Sequence, residues 1–412
     1  MNDYDIDLIA VSSGYDRQTC WTQARAGAIP PVEEGQDPTV VLTMQKLRLT
    51  GSDDYEGLQS LYSTDRGKTW SQPVEQLGFK RSLWLENEDG PVERTVCDFW
   101  PQWHAASGKL LGTGHTGMFQ KGKVSAKYDR STPYAVYDAQ SHSWGNWKEL
   151  PMPDGVRFSH SGAGCTQRFD LENGDILLPI YYYSSTTPLM LATTILRCTF
   201  NGETLEYIEH GDQLTTSVPR GFGEPSLTRF QGRYFLTLRN DEAGFITTSD
   251  DGLHYNEPQL WRFDDGELLG SYNTQQHWVT RPDALYLTYT RNGPNNELNN
   301  DHVFRNRAPI LMAQVDPDKL CVIRETERVV IPNTGARLGN FGITPVSDNE
   351  VWVVETEWMQ NSGESAQLML EMLRERMPEE EVEELRQTPY MCGVIEQFGA
   401  NNRVWAARLL FS

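Results

Sequence analysis

The sequence lacks several features that would each have fixed a class. No run of about 18 apolar residues occurs, so no stretch reads as a membrane-spanning helix. The opening MNDYDIDLIAVSSGYD has neither a basic start nor a long apolar stretch, so it does not read as a secretory leader. A cytoplasmic location is expected on that basis, or a secreted or periplasmic one if a leader has been trimmed. Cysteine is sparse, with six in 412 residues and none in a C-x-x-C pair, which suggests neither a zinc site nor a redox dithiol. The plain reading of these cysteines is buried free thiols in a reducing compartment. No metal motif is visible, and nothing calls for a cofactor. Positive charge is short as well. Thirty-six Lys and Arg face 57 Asp and Glu, a net charge of −21. That speaks against nucleic acid or an anionic membrane as a partner, because both demand a basic face. It leaves room for a small anionic ligand held by a local group of arginines.

Aromatic residues are abundant, with 12 Trp, 17 Tyr and 15 Phe, and the hydrophobic share of 38% is ample for a packed core. The stretch STDRGKTW, Ser63 to Trp70, reads S-x-D-x-G-x-x-W. Asp65 can accept hydrogen bonds from backbone N–H groups just downstream, and Gly67 can supply a positive φ, so the stretch predicts a hairpin turn rather than a reactive site. It recurs as TSDDGLHY, Thr248 to Tyr255, with a hydroxyl, Asp250, Gly252 and an aromatic at the same offsets. A worn copy stands at Tyr137 to Trp144, where the glycine is lost. Recurrence at tens of residues suggests a repeat architecture.

The chain reads as strand, turn, strand almost throughout, in six modules. Each has two apolar-alternating runs, separated in most by a turn signal such as ENGD, FQGR or VSDNE. One four-stranded antiparallel blade per module gives an all-β fold, a six-bladed β-propeller forming a single domain over residues 1–412. One segment differs. Residues 362–387 are rich in helix formers with apolar residues at three- and four-residue spacing, and Pro378 divides them. A helical insertion in the last module is expected there, as a surface decoration in preference to a lid or an interface.

The turn motif and several longer stretches resemble the sialidase (neuraminidase) superfamily of six-bladed propellers. GEPSLTRFQGRYFLTLRN is similar to a sialidase stretch in which a Glu opens one strand and an Arg-Asn closes the next. ARAGAIPP is a loose form of the Arg-Ile-Pro motif near the start of that family. The resemblance covers most of the chain in patches and is strongest from about Gly162 to Asp250. It implies an exo-acting glycoside hydrolase that removes a terminal anionic sugar, sialic acid or a related acid, from an oligosaccharide or glycan. Three arginines from different blades would clamp the sugar carboxylate through charge-assisted hydrogen bonds. They fall on Arg25, Arg239 and Arg307, with Arg305 close behind the last. The general acid falls on Asp53 in preference to Asp54. The carboxylate that activates the nucleophile falls on Glu224, and the one that braces the first arginine on Glu355.

The pattern departs at the nucleophile. Where the family has a tyrosine, this chain has LGNFGITPV, with Asn340 or Phe341 at the place. Tyr272 in the neighbouring module is a substitute that no motif places. Histidines stand at module starts: His104 and His115 at the two ends of one hairpin, His160 opening the third module, and His277 and His302 in the fifth. With Tyr181, Tyr182, Tyr183 and Arg239 they allow a second reading, a propeller-type lyase that abstracts a proton beside a uronate carboxylate and eliminates the linked sugar. His160 and His115 are the histidines this reading favours. A third reading is a non-catalytic glycan-binding propeller. An acidic saccharide is the expected partner in all three, and a homo-oligomer is compatible with each.

Overall fold

The computed structural model describes residues 4–33, 35–49, 53–153, 155–184 and 187–412. Alternating apolar runs become strands here because each sheet buries both of its faces against neighbouring sheets. The first sheet holds Thr19–Ile29, Thr39–Arg48, Tyr55–Ser63 and Val74–Glu75 in sequence order. The second is wider, with seven strands built on the long hairpin Gly90–His104 and Lys109–Gln120. The third centres on Ile176–Ser184 and Thr187–Phe200, the fourth on Gly223–Phe230 and Arg233–Arg239, and the fifth on His277–Thr280, Leu285–Tyr289 and Ile310–Asp316. These five blades are made of strands consecutive in the chain. A further sheet joins Gly342–Ser347 and Glu350–Thr356 to Val404–Phe411, and its outer edge is Tyr4–Ser12 in an antiparallel register that pairs Tyr4 with Phe411.

The sheets follow one another around an axis. Thr19–Ile29 packs on Gly90–His104, Lys109–Gln120 on Ser161–Gly162, Ile176–Ser184 on Gly223–Phe230, and the last of these on His277–Thr280. His277–Thr280 packs on Gly342–Ser347, which returns to Thr19–Ile29. The fold is an all-β propeller. Its core lies between sheets: Val40, Leu42, Met44 and Leu61 of the first sheet pack against Trp352, Val354, Val404 and Ala406. Trp352 is fully buried, and a side chain of that size contributes upwards of about 2 kcal/mol by leaving water.

The Ser63–Trp70 turn forms as its spacing predicts. Asp65 accepts from the Thr69 N–H at 2.9 Å and from the Thr69 hydroxyl at 2.6 Å, while the Gly67 N–H donates to Ser63 Oγ at 2.8 Å. Gly67 has φ +79°, and a Cβ there would lie 2.8 Å from the Trp352 ring, so any other residue would be strained and would displace that ring. The second copy is offset from the expected one. Ser249 and Asp251, not Thr248 and Asp250, make the turn: Asp251 accepts from the Leu253 and His254 N–H groups at 2.8 Å each, and Gly252 N–H donates to Ser249 Oγ at 2.8 Å. This loop is one residue shorter between Ser and aromatic, which the expected alignment overlooked.

Helices α1 (Gly363–Arg374), α2 (Glu379–Arg386) and α3 (Cys392–Glu396) run beyond the expected 362–387 segment. Pro378 sits at the N-cap of α2, as its fixed φ and missing N–H favour. The segment is not a surface decoration. Met369, Leu370 and Leu373 of α1, Val382 of α2, and Val394 and Ile395 of α3 share a core with Leu47, Tyr55, Phe119 and Trp358. Among the described residues no helix is long and apolar enough to cross a membrane. All six cysteines are buried free thiols.

Candidate functional site

Each sheet places one residue near the axis in the left-handed backbone region: Gln23 (φ 58°), Asp98 (51°), Cys165 (60°), Glu224 (43°), Asn273 (50°) and Gly339 (104°). Five of the six are not glycine, and such conformations persist only where their surroundings enforce them. At Gln23, Asp98 and Glu224 the strand pairing slips, between Thr22 and Arg25, Cys97 and Trp100, and Gly223 and Ser226. Each slip is a bulge that re-aims a side chain towards the axis. The side chains so placed are tied together by arginines. Arg25 donates to Cys165 Sγ at 3.0 Å and lies 3.2 Å from Asp98 Oδ1. Arg239 pairs with Glu224 and donates to Asn273 Oδ1 at 2.8 Å.

Above this ring lies a cavity of about 520 Å³, within the range of about 300–1,000 Å³ usual for small-ligand sites. One wall is cationic. Arg305 donates to the same Asn273 Oδ1 at 2.9 Å, and Arg307 donates to the Asn273 carbonyl. Asn273 thus gathers three guanidinium groups from two sheets on one neutral amide. Burial holds Arg307 well below the usual arginine value, and the neighbouring cations Arg239, Arg337 and Arg305 add to the shift. Burial by itself would raise the Glu224 carboxyl, but Arg239 and Arg220 hold it down at about 2. Glu224 is therefore ionised at neutral pH and a poor proton acceptor there.

The opposite wall carries neutral proton-transfer groups. The Tyr181 hydroxyl lies 3.4 Å from His115 Nδ1, and Asp98 Oδ2 lies 3.8 Å from the same nitrogen. Burial holds His115 well below its ordinary value, and Arg130 pushes it further down. The imidazole packs against Gly162 and Gly164; a Cβ on Gly164 would stand 2.1 Å from Nδ1. Tyr183 lies over His160 at 4.5 Å between ring centres. Burial, then Arg130, lower His160 to about 4, so both imidazoles are neutral near pH 7.

Seven of the expected site residues line this one cavity: Asp53, His115, His160, Glu224, Arg239, Arg305 and Arg307. Asp53 has φ 58° and accepts from the Tyr55 hydroxyl at 2.8 Å. Asp54 is instead buried against Arg81. Three expected residues are not on the cavity wall. Arg25 lies beneath the ring with its side chain fully buried, tied up by Asp98 and Cys165. Glu355 does not brace Arg25 directly. Its carboxylate accepts from the N–H groups of Gly339, Asn340 and Thr356 at 2.6, 3.0 and 2.7 Å, and burial raises it to about 7. Tyr272 turns its hydroxyl to Asn306 Oδ1 at 2.7 Å. At the nucleophile position Asn340 lines the cavity, whereas Phe341 is buried against His277.

The other histidines are structural. His104 bonds Ser107 and the Gly174 carbonyl, His277 bonds Ser226 Oγ at 2.6 Å, and His302 stacks on Phe398. Sequence reading missed Asp98, Arg130, Cys165, Asn273 and Arg337. Asn273 alone carried a signal, because asparagine tolerates the left-handed region better than most residues. Among the described residues no group of three or more His, Cys, Asp or Glu side chains could hold a metal ion.

No protein-family model and no curated protein matches the chain. Solved structures do resemble it. A protein of unknown function from Dyadobacter fermentans is similar over 99% of each chain, at 14% identity and a TM-score of 0.58. The Hadza microbial sialidase Hz136 is similar over 84% of this chain and 65% of its own, at 13% identity and a TM-score of 0.58. The sialidase of Trypanosoma rangeli, in complex with the inhibitor DANA, is similar over 87% of this chain and 57% of its own, at 14% identity and a TM-score of 0.55. The chain thus spans less than two thirds of either sialidase. At these identities the likeness establishes a sialidase-like propeller fold and nothing of the chemistry.

Proposed function

We propose that this chain is an exo-acting, sialidase-like glycoside hydrolase that cleaves a terminal anionic sugar from a glycan, on a propeller of six blades with one sheet per blade. The observation that carries the reading is the convergence of Arg239, Arg305 and Arg307 on Asn273 beside the carboxylates of Glu224 and Asp53. In this reading the arginines hold the sugar carboxylate, and Asp53 protonates the leaving oxygen. Glu224 keeps Arg239 in place. The water or phenol that attacks the anomeric carbon is activated on the other wall, at His115 and Tyr181, because the Asn340 amide cannot attack. Activity would be measured on matched glycosides with acidic and neutral terminal sugars. Release of the acidic sugar alone is expected, with at least a hundredfold loss in the Arg305→Ala, Arg307→Ala double variant. Equal release of neutral sugars would overturn the reading.

A second reading has its own observation. His115, Tyr181 and Arg130 lie on one wall, with the imidazole neutral, and such a set suits abstraction of a proton beside a uronate carboxylate followed by elimination. That reaction leaves a conjugated, ultraviolet-absorbing product that hydrolysis does not.

A further inference from the structure

The cavity holds more positive charge than one carboxylate requires, and that charge is divided between its two walls. Among the described residues lining the cavity, Arg130, Arg305, Arg307 and Arg337 have no carboxylate within ion-pair distance, in a chain with 57 acidic residues, and of these Arg337 is tied to Gln360 Oε1 at 2.9 Å. Arg239 and Arg220 do have such partners, Glu224 and Asp241. A guanidinium removed from water without an opposing charge is costly, and Arg307 is buried and Arg130 half-buried, so these two call for a partner from outside the chain, one that the exposed Arg305 can share. Arg305 and Arg307 belong to the Asn273 cluster. Arg130 belongs to the other wall, where its neighbours are His160, Tyr181 and Tyr183.

The groups beside Arg130 are hydrogen-bond donors. The Arg130 backbone N–H donates to His160 Nδ1 at 3.4 Å, which leaves the ring proton of the neutral imidazole on Nε2. That Nε2 is buried and has no hydrogen-bond partner, and the His160 side chain as a whole is only 11% exposed. The one carboxylate near this ring, Asp129, lies 3.5 Å from Nδ1, on the other side of the imidazole from Nε2, and is itself 64% exposed. A guanidinium, an N–H donor and two phenols meet there, and the nearest acidic side chains, Asp129 and Asp98, make no ion pair with Arg130, so this wall can receive an oxyanion.

From this we infer a second anion site at Arg130 and His160, so that the ligand of the cavity is an acidic saccharide carrying two separate negative groups. One group is met by Arg239, Arg305 and Arg307, and the other by Arg130. The second group is a sulfate ester or a second carboxylate, which present the same oxygen acceptors. The Arg130 site stands on its own observations. The pairing of two anions rests on the proposed arginine clamp.

Selenate, a tetrahedral dianion with an anomalous scattering signal, locates both sites independently of the sugar. Crystals of the full chain, its Arg130→Gln variant and its Arg305→Gln, Arg307→Gln double variant would be soaked in sodium selenate. Two anomalous peaks are expected in the wild-type cavity, one beside Arg130 and one between Arg305 and Arg307, and each variant should lose only its own. A peak at the clamp with none at Arg130 overturns the second site and leaves the proposed function standing. A peak at Arg130 with none at the clamp overturns the two-anion ligand through failure of the clamp. A peak near Arg130 that survives Arg130→Gln is an adventitious ion only and overturns the assignment. Unchanged thermal unfolding of each variant separates loss of the site from loss of the fold.

Discussion

Arg25, beneath the cavity, meets Asp98, which lines it, Nη1 3.2 Å from Oδ1, each beside a bulge in its own strand. The arginine side chain is fully buried and the aspartate 13% exposed. Sequence resemblance assigns Arg25 to ligand binding, whereas its contacts make it the rivet that joins the first, second and third sheets. Arg25→Ala is therefore expected to cost about 3–5 kcal/mol of stability, because Asp98 would be left buried without its partner. Urea unfolding measures it. Unchanged stability together with lost anion binding would return Arg25 to the ligand.

Glu224 links the site to acid stability. Its folded carboxyl is depressed to about 2 from an ordinary 4.5, so the stability it contributes is present above pH 4.5 and is lost as pH falls towards 2. At 1.36 kcal/mol per pKa unit the contribution is on the order of 3 kcal/mol. The Glu224→Gln variant should be less stable than wild type at neutral pH, and the gap should close below pH 4.5. A constant gap down to pH 2 would show that Glu224 is not held ionised by Arg239.

Glu355 acts in the opposite sense. Its folded value is raised to about 7 by burial, so its contribution is fully present below its unfolded value near 4.5 and is lost as pH rises through about 7. Melting temperature should fall between pH 5 and 8, and Glu355→Gln should flatten that part of the curve. Infrared titration of the carboxyl band would show the ionisation directly. A band already ionised at pH 5 would contradict it.

Gly164 tests whether the His115 ring position matters for the reaction. A methyl group there would stand 2.1 Å from Nδ1, so Gly164→Ala must displace the imidazole and disturb its contact with Tyr181. Gly164 is not at positive φ, so the backbone itself tolerates alanine. A fall in kcat of about 10²–10⁴, the range of a lost acid–base group, is expected with KM little changed. Tyr181→Phe should match it. Full activity in both would place the reaction on the arginine wall alone.

Much of the scaffold was legible because it rests on local chemistry. Asp65 and Gly67 make their turn within eight residues, and the short apolar run from Tyr234 to Leu238 reads as a buried strand. The cavity was legible in part. Arg239 and Glu224 could be found because they end and begin apolar strands, where a charge needs a partner. Asp98 could not, since its role comes from a bulge and from contacts with Arg25, 73 positions earlier, and with His115 from across its hairpin. Arg130 lies in an unremarkable polar stretch, KYDRST, and acquires meaning only when Tyr181 and Tyr183 of another sheet arrive beside it. The helical segment was found and its place misjudged, because periodicity shows that a helix has an apolar face but not that Tyr55 and Phe119 will cover it.

The central claim is hydrolysis of an anionic glycoside, and product analysis in ¹⁸O-labelled water tests it most directly. The protein would be incubated with sialosides and with uronate-containing polysaccharides, and the released sugars examined by mass spectrometry and ultraviolet absorbance. The account predicts an acidic monosaccharide carrying one solvent oxygen at its anomeric carbon, with no conjugated product. An unsaturated uronate without solvent oxygen would contradict it and establish elimination at His115 and Tyr181 instead.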